Sequence, residues 1–161
     1  NMDKRDPAKS NPTDELTVPS QQTIPVTTDN CPLPKMEPYK HIQTNAVYFI
    51  TADCRKVQIR SRDIFFSYFS SFDRVRDVSG SIINRIPDDS LGFLPYGPLF
   101  VPIDGMLVKT VTNPRVYVIE QGNRRPIETP EVFLSLGFLW NQILDIVPFT
   151  LERLPEGPPL K

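Results

Sequence analysis

One histidine, two cysteines and no glycine-rich loop leave this chain few routes to catalysis. A nucleophilic hydrolase needs a nucleophile, a base and a group that orients the base. No G-x-S-x-G motif or phosphate-cradling loop occurs. His41 reads as a half-exposed surface or strand residue, and Cys54 with His41 is the one dyad on offer. Two cysteines are too few for a disulfide framework or a four-cysteine zinc site. A bridge between Cys31 and Cys54 would tie the start of the chain to its body; otherwise Cys31 is a free thiol and Cys54 a small buried or turn residue. Asp88, Asp89 and Asp104 supply too few oxygens, too irregularly spaced, for calcium, and read as acidic turn residues. The formal charge of −1 provides no global field for nucleic acid or an acidic membrane. No apolar run approaches bilayer length. The expectation is a protein that is not an enzyme and has no cofactor, no metal, no nucleic-acid partner and no membrane-spanning segment.

Proline, by contrast, is abundant, and it divides the chain. Residues 1–38 are rich in Pro, Thr, Ser and Gln, with neither helical nor strand period. Prolines hold their neighbours extended and remove donors, and such a composition buries too little apolar area to offset its ordering entropy. Two readings of this arm stand. It is a flexible stalk, or it docks on a neighbour through Leu16, Val18, Ile24 and Val26. The chain opens Asn-Met, so a trimmed or processed product is expected, and the lack of a visible signal peptide carries little weight.

Beyond the arm the chain repeats itself. "VYVI" at 116–119 reads as a strand, "QGN" as a turn in which Gly122 takes positive φ, and Pro126 as the end of pairing. In "TPEVF", Thr129 caps a helix, Pro130 fits its first position, Glu131 favours its positive end, and Gly137 ends it. Asn141 is expected to cap a second short helix with Trp140, Ile143 and Ile146 on one side. The earlier copy follows suit. "VYFI" at 47–50 matches "VYVI", and Ser61, Asp63 and Phe65 match Thr129, Glu131 and Phe133. Phe72, Val75 and Val78 match Trp140, Ile143 and Ile146. Each copy is expected to close on a Leu-Pro-x-Gly-Pro stretch, at Leu94 and at Leu154, with about eight extra residues before the first closure. Units this small cannot bury a face alone, so the copies are expected to share a core. The predicted class is α+β: an arm over 1–38, then units over 39–100 and 101–161, each with short antiparallel strands in a hairpin plus two short helices.

These motifs resemble a repeat of exported or surface-associated bacterial proteins, with a strand "GxLVK", a hairpin "VYxIxxGxxRPI" and a helix start "(S/T)PExFxxxG(F/Y)". The second copy meets it with Gly105, Leu107, Lys109, Val116, Tyr117, Ile119, Gly122, Arg125, Thr129, Glu131, Phe133, Gly137 and Phe138. The first copy departs from it: Asp53 or Cys54 replaces the turn glycine, and the Gly105 position has no clear match. The resemblance implies a place outside the cell or on its surface and a structural, self-assembling or adhesive role, with another copy or an envelope protein as partner. A cell-wall or carbohydrate-binding module is the alternative. For an anion or glycan the candidate contacts are Arg55, Lys56, Arg124 and Arg125, with Phe93 and Tyr96 as loop aromatics; the rival reading is ordinary solvated faces. Tyr48 and Tyr117, Phe65 and Phe133, and Phe72 and Trp140 read as core positions that recur because packing recurs.

Overall fold

The computed structural model describes residues 30–161, of which residues 33–161 form one compact body. The arm positions Leu16, Val18, Ile24 and Val26 lie outside the described residues. The class is α+β, built as two similar units. In the first, β1 (Pro38–His41), β2 (Val47–Ile50) and β3 (Lys56–Ile59) form an antiparallel meander. Then come α1 (Arg62–Phe66), a 3₁₀ turn (Phe72–Arg74), β4 (Arg76–Val78), α2 (Gly80–Ile83) and β5 (Asp88–Phe93). The second unit repeats this with β6 (Leu107–Thr110), β7 (Asn113–Glu120), β8 (Asn123–Pro126), α3 (Pro130–Ser135), a 3₁₀ turn (Trp140–Gln142), β9 (Ile143–Ile146) and α4 (Pro148–Glu152).

The sheets are mixed rather than purely antiparallel. Their orders are β4-β1-β2-β3-β5 and β8-β7-β6-β9. The last strand of each hairpin-and-helix run returns parallel to the first: β4 to β1, and β9 to β6. An ion pair crosses each junction, Lys40 to Asp77 at 3.8 Å and Lys109 to Asp145 at 2.6 Å. Here the expected second helix fails. Ile143 to Ile146 is strand β9, and Asn141 caps nothing; the Gln142 side chain instead accepts from the Leu139 N–H at 3.1 Å. A three-residue spacing of apolar side chains does not distinguish helix from strand over so short a run. The second helix of each copy follows instead, as α2 and α4.

The closure also sits in a different register. After α2, the Lys56 N–H donates to the Pro87 carbonyl at 2.9 Å; after α4, the Arg124 N–H donates to Pro155 at 2.9 Å. Ile86-Pro87-Asp88 is therefore the counterpart of Leu154-Pro155-Glu156, and no insertion precedes it. The stretch from Leu94 is the connector. Likewise Met36 takes the place of Gly105. Both hold positive φ (61° and 94°), and their N–H groups donate to Ile50 and Ile119. The first unit thus starts before residue 39.

The described clusters of buried residues each draw on one unit. Ile59, Phe65 and Phe69 pack in the first unit. Leu107, Val118, Ile127 and Phe133 pack on one side of the second sheet, and Val108, Tyr117, Ile119, Ile146 and Leu151 form a further cluster of that unit. The connector joins the units by hydrogen bonds. Tyr96 adds to the edge of β9: its N–H donates to Asp145 at 2.8 Å and its carbonyl accepts from Val147 at 2.9 Å. The Gly97 N–H donates to buried Ser67 Oγ at 2.7 Å, and Thr150 Oγ1, fully buried, donates to the Gly97 carbonyl at 2.8 Å. The Tyr68 hydroxyl donates to Pro95 at 2.7 Å, and burial pushes that phenol up to about 12, so it stays a donor throughout the neutral range.

Both cysteines are disulfide-bonded, so neither Cys31 nor Cys54 is a free thiol. Cys54 occupies the positive-φ position of the β2–β3 turn (φ 57°).

A Cβ at Gly97 would lie 2.7 Å from the Ser67 carbonyl oxygen, which is backbone and cannot swing aside. Gly97→Ala is expected to cost about 1–3 kcal/mol in urea denaturation, the range for forced overpacking. Replacing Cys31 and Cys54 together by Ser should cost roughly 3 kcal/mol, matched by the wild type under reducing conditions.

Candidate functional site

The repeat builds one surface feature twice. Ser61 and Thr129 sit in extended backbone before α1 and α3, and their side chains accept from the N–H three residues on, Ile64 at 3.1 Å and Val132 at 3.2 Å. This capping turns each helix so that its fourth residue after the cap, Phe65 or Phe133, points inward. Both are buried, at 2% and 1% exposure. The 3₁₀ turn then lays a second ring on the first. Phe72 stacks on Phe65 at 4.7 Å and 27°, and Trp140 on Phe133 at 4.0 Å and 13°.

The outer rings are not core. Phe72 is 43% exposed and Trp140 52%. The expectation that they are buried with their partners is corrected: each covers a buried phenylalanine with one face and wets the other. Beside each pair runs a groove, of about 360 Å³ in the first unit and about 300 Å³ in the second. Equivalent residues line the two: Val47 and Val116, Ile59 and Ile127, Ser61 and Thr129, Phe65 and Phe133, Phe72 and Trp140. They differ in charge. Arg60 and Arg62 border the first groove, with the Arg62 guanidinium 5.0 Å from the Phe72 ring; Arg115 and Glu128 border the second. Sequence reasoning matched Phe72 to Trp140 but missed the groove, because exposure of one face depends on how the 3₁₀ turn lies over the helix.

The basic pairs are committed elsewhere. Lys56 Nζ donates to Ile86 O at 2.6 Å and pairs with Asp88 at 3.0 Å; Arg124 Nη1 donates to Leu151 O at 2.7 Å and Nη2 faces Glu156 at 3.6 Å. Arg124 thus sits on a last-turn carbonyl of α4, where the dipole favours a cation, and Lys56 on a carbonyl three residues beyond α2. These two are equivalent, so the pairs align one residue apart from the sequence expectation. Arg125 donates to Pro158 O and Glu120, while Arg55 reaches Asp88 O at 3.4 Å. Of the loop aromatics, Phe93 is exposed beneath the Arg60 guanidinium at 3.9 Å, whereas Tyr96 is half-buried against the second unit's core with Phe100.

His41 is buried rather than half-exposed, and its Nδ1 accepts from the Gln43 N–H at 3.2 Å. The disulfide leaves Cys54 no thiol to pair with it. Asp88 is in its ion pair, Asp89 accepts from the Leu91 N–H, and Asp104 accepts from the Gly122 N–H. Among the described residues no group of three or more His, Cys, Asp or Glu gathers, and no helix is long and apolar enough to cross a membrane.

The groove's floor and wall should separate in stability. Phe133→Ala is expected to cost about 3–5 kcal/mol, a buried aromatic truncation, whereas Trp140→Ala should cost only roughly 1–2 kcal/mol by thermal or chemical melts. Set against protein-family models, characterised proteins and solved structures, the chain matches none.

Proposed function

We propose that this chain is a non-enzymatic assembly module of an extracellular or cell-surface bacterial protein, and that its paired grooves receive the proline-containing leader of a neighbouring copy. The observation that carries the reading is the groove built twice from matching residues. Aromatic-lined grooves suit extended proline-rich segments, which lose little entropy on docking. The leader supplies "DELTVPSQQTIPVTT" at 14–28, with apolar Leu16, Val18, Ile24 and Val26 spaced between prolines. Its acidic start, Asp14-Glu15, complements Arg60 and Arg62 at the first groove. A disulfide suits an oxidising compartment, which agrees with a place outside the cytoplasm. The second reading is a cell-wall or carbohydrate-binding module. It draws on the wet face of Trp140, against which a sugar ring would stack.

Trp140 is the sole tryptophan, so its fluorescence reports directly on the second groove. Titrating the chain lacking residues 1–29 with a peptide of residues 14–28 should give a saturable emission change. The same truncation should abolish self-association by light scattering while leaving circular dichroism intact. A peptide without effect, together with saturable binding to purified envelope glycan, would hand the site to the glycan reading; silence from both would reject the groove as a docking site.

A further inference from the structure

A second kind of concavity exists in only one copy as an open space. In the second unit a cleft of about 220 Å³ is lined by Thr110, Thr112, Tyr117 and Arg124, with the exposed Arg115 and Glu152 beside them. In the first unit the same place is filled. His41 stands where Thr110 does, Gln43 where Thr112 does, and Gly80 where Pro148 does. The His41 ring lies so close to Gly80 that a Cβ there would be 2.6 Å from Nε2, and Gln43 Oε1 accepts from the Gly80 N–H at 2.9 Å. Pro148 has no N–H to offer such a side chain. The fold therefore accommodates the filled form, and the open form in the second unit is a property of its own residues.

The cleft's polar groups have a definite chemistry. Arg124 Nε is buried with no hydrogen-bond partner, alone in this among the described side chains, although Nη1 and Nη2 of the same guanidinium are engaged. That atom is sealed from the cleft, so the cationic surface a ligand can reach is the exposed Arg115 guanidinium and the outer part of the Arg124 side chain, which is 19% exposed. The guanidinium carbons of Arg115 and Arg124 each lie 5.6 Å from the Tyr117 ring centroid, so two cations share one aromatic wall. Guanidinium N–H groups favour carboxylate oxygens. The two threonine hydroxyls and the Glu152 carboxylate add acceptors and donors suited to hydroxyl groups. The volume falls below the roughly 300–1,000 Å³ of sites for drug-sized ligands, which limits the occupant to a single small ring or its equivalent.

We propose that this cleft binds a small hydroxylated carboxylate of the acidic-sugar class. The ligand is either a free monosaccharide or the acidic end of a glycan. The site is independent of leader docking, although Arg115 borders both concavities.

The test titrates the ¹⁵N-labelled full chain with glucuronate, with glucose as the neutral match and a glucuronate-terminated oligosaccharide as the polymer arm. Glucuronate should give saturable shifts at the Thr110 and Thr112 amides and at Arg115 Nε–H, with glucose roughly tenfold weaker or more. The triple substitution Thr110→His, Thr112→Gln and Pro148→Gly refills the cleft as the first unit does, the glycine leaving the ring the room that a proline Cβ would take. It should abolish binding while the melting temperature stays close to wild type. Tighter binding of the monosaccharide supports a free metabolite, and tighter binding of the oligosaccharide supports a glycan end. No saturable shift with glucuronate, an equal response to glucose, or binding that survives in a folded refilled variant would overturn the proposal.

Discussion

Gly97 has no room for a side chain, and the two units are organised around that fact. Its N–H and C=O are both taken by buried hydroxyls, one from each unit: Ser67 accepts and Thr150 donates. Thr150 Oγ1, fully buried, depends on the Gly97 carbonyl being within reach, whereas Ser67 Oγ also donates to the Ile64 carbonyl and so is held in place to accept from Gly97. Since the described clusters draw their buried residues from one unit or the other, this polar joint and the Tyr96 addition to β9 carry the mutual orientation of the halves. Polar joints fix geometry more sharply than apolar ones, because a misaligned hydrogen bond leaves an unpaired group behind.

What the sequence made legible was local. Thr129 and Ser61 announced their helices through cap chemistry, Gly122 and Gly137 announced positive φ, and Phe65 and Phe133 stood at matched offsets from those caps. What stayed hidden was non-local. Ile143 to Ile146 becomes a strand because β6 offers it a parallel edge, and nothing within those four residues states that. The closure register was misread because "LPYGP" and "LPEGPP" look alike as strings, whereas the backbone pairs Pro87, not Pro95, with the position of Pro155. Met36 in a glycine's place was invisible for a similar reason. A non-glycine residue at φ 61° is uncommon, and only its contact with Ile50 identifies it as the partner of Gly105.

The duplication also separates constraint from freedom. Positions that set the backbone, such as the helix caps, the inner phenylalanines and the cation on the closing carbonyls, keep their chemistry in both copies: Ser61 with Thr129, Phe65 with Phe133, Lys56 with Arg124. Positions that face outward have diverged. Arg60 answers to Glu128, and His41 with Gln43 answers to two threonines. One scaffold thus presents two chemically unlike surfaces, and function is carried by the surfaces rather than by the architecture.

The strand order has a consequence for how the chain is made. In each unit the central meander is complete early, yet its flanks are supplied by later segments: β4 and β5 in the first, β9 and the closing residues around Glu156 and Leu160 in the second. While a ribosome is still partway through a unit, the nascent meander displays bare backbone donors and acceptors on both sides, the condition that invites pairing between chains. A message broken shortly after α4 would release a polypeptide whose β8 side is never covered, and such a product is a substrate for proteolysis or a seed for precipitation.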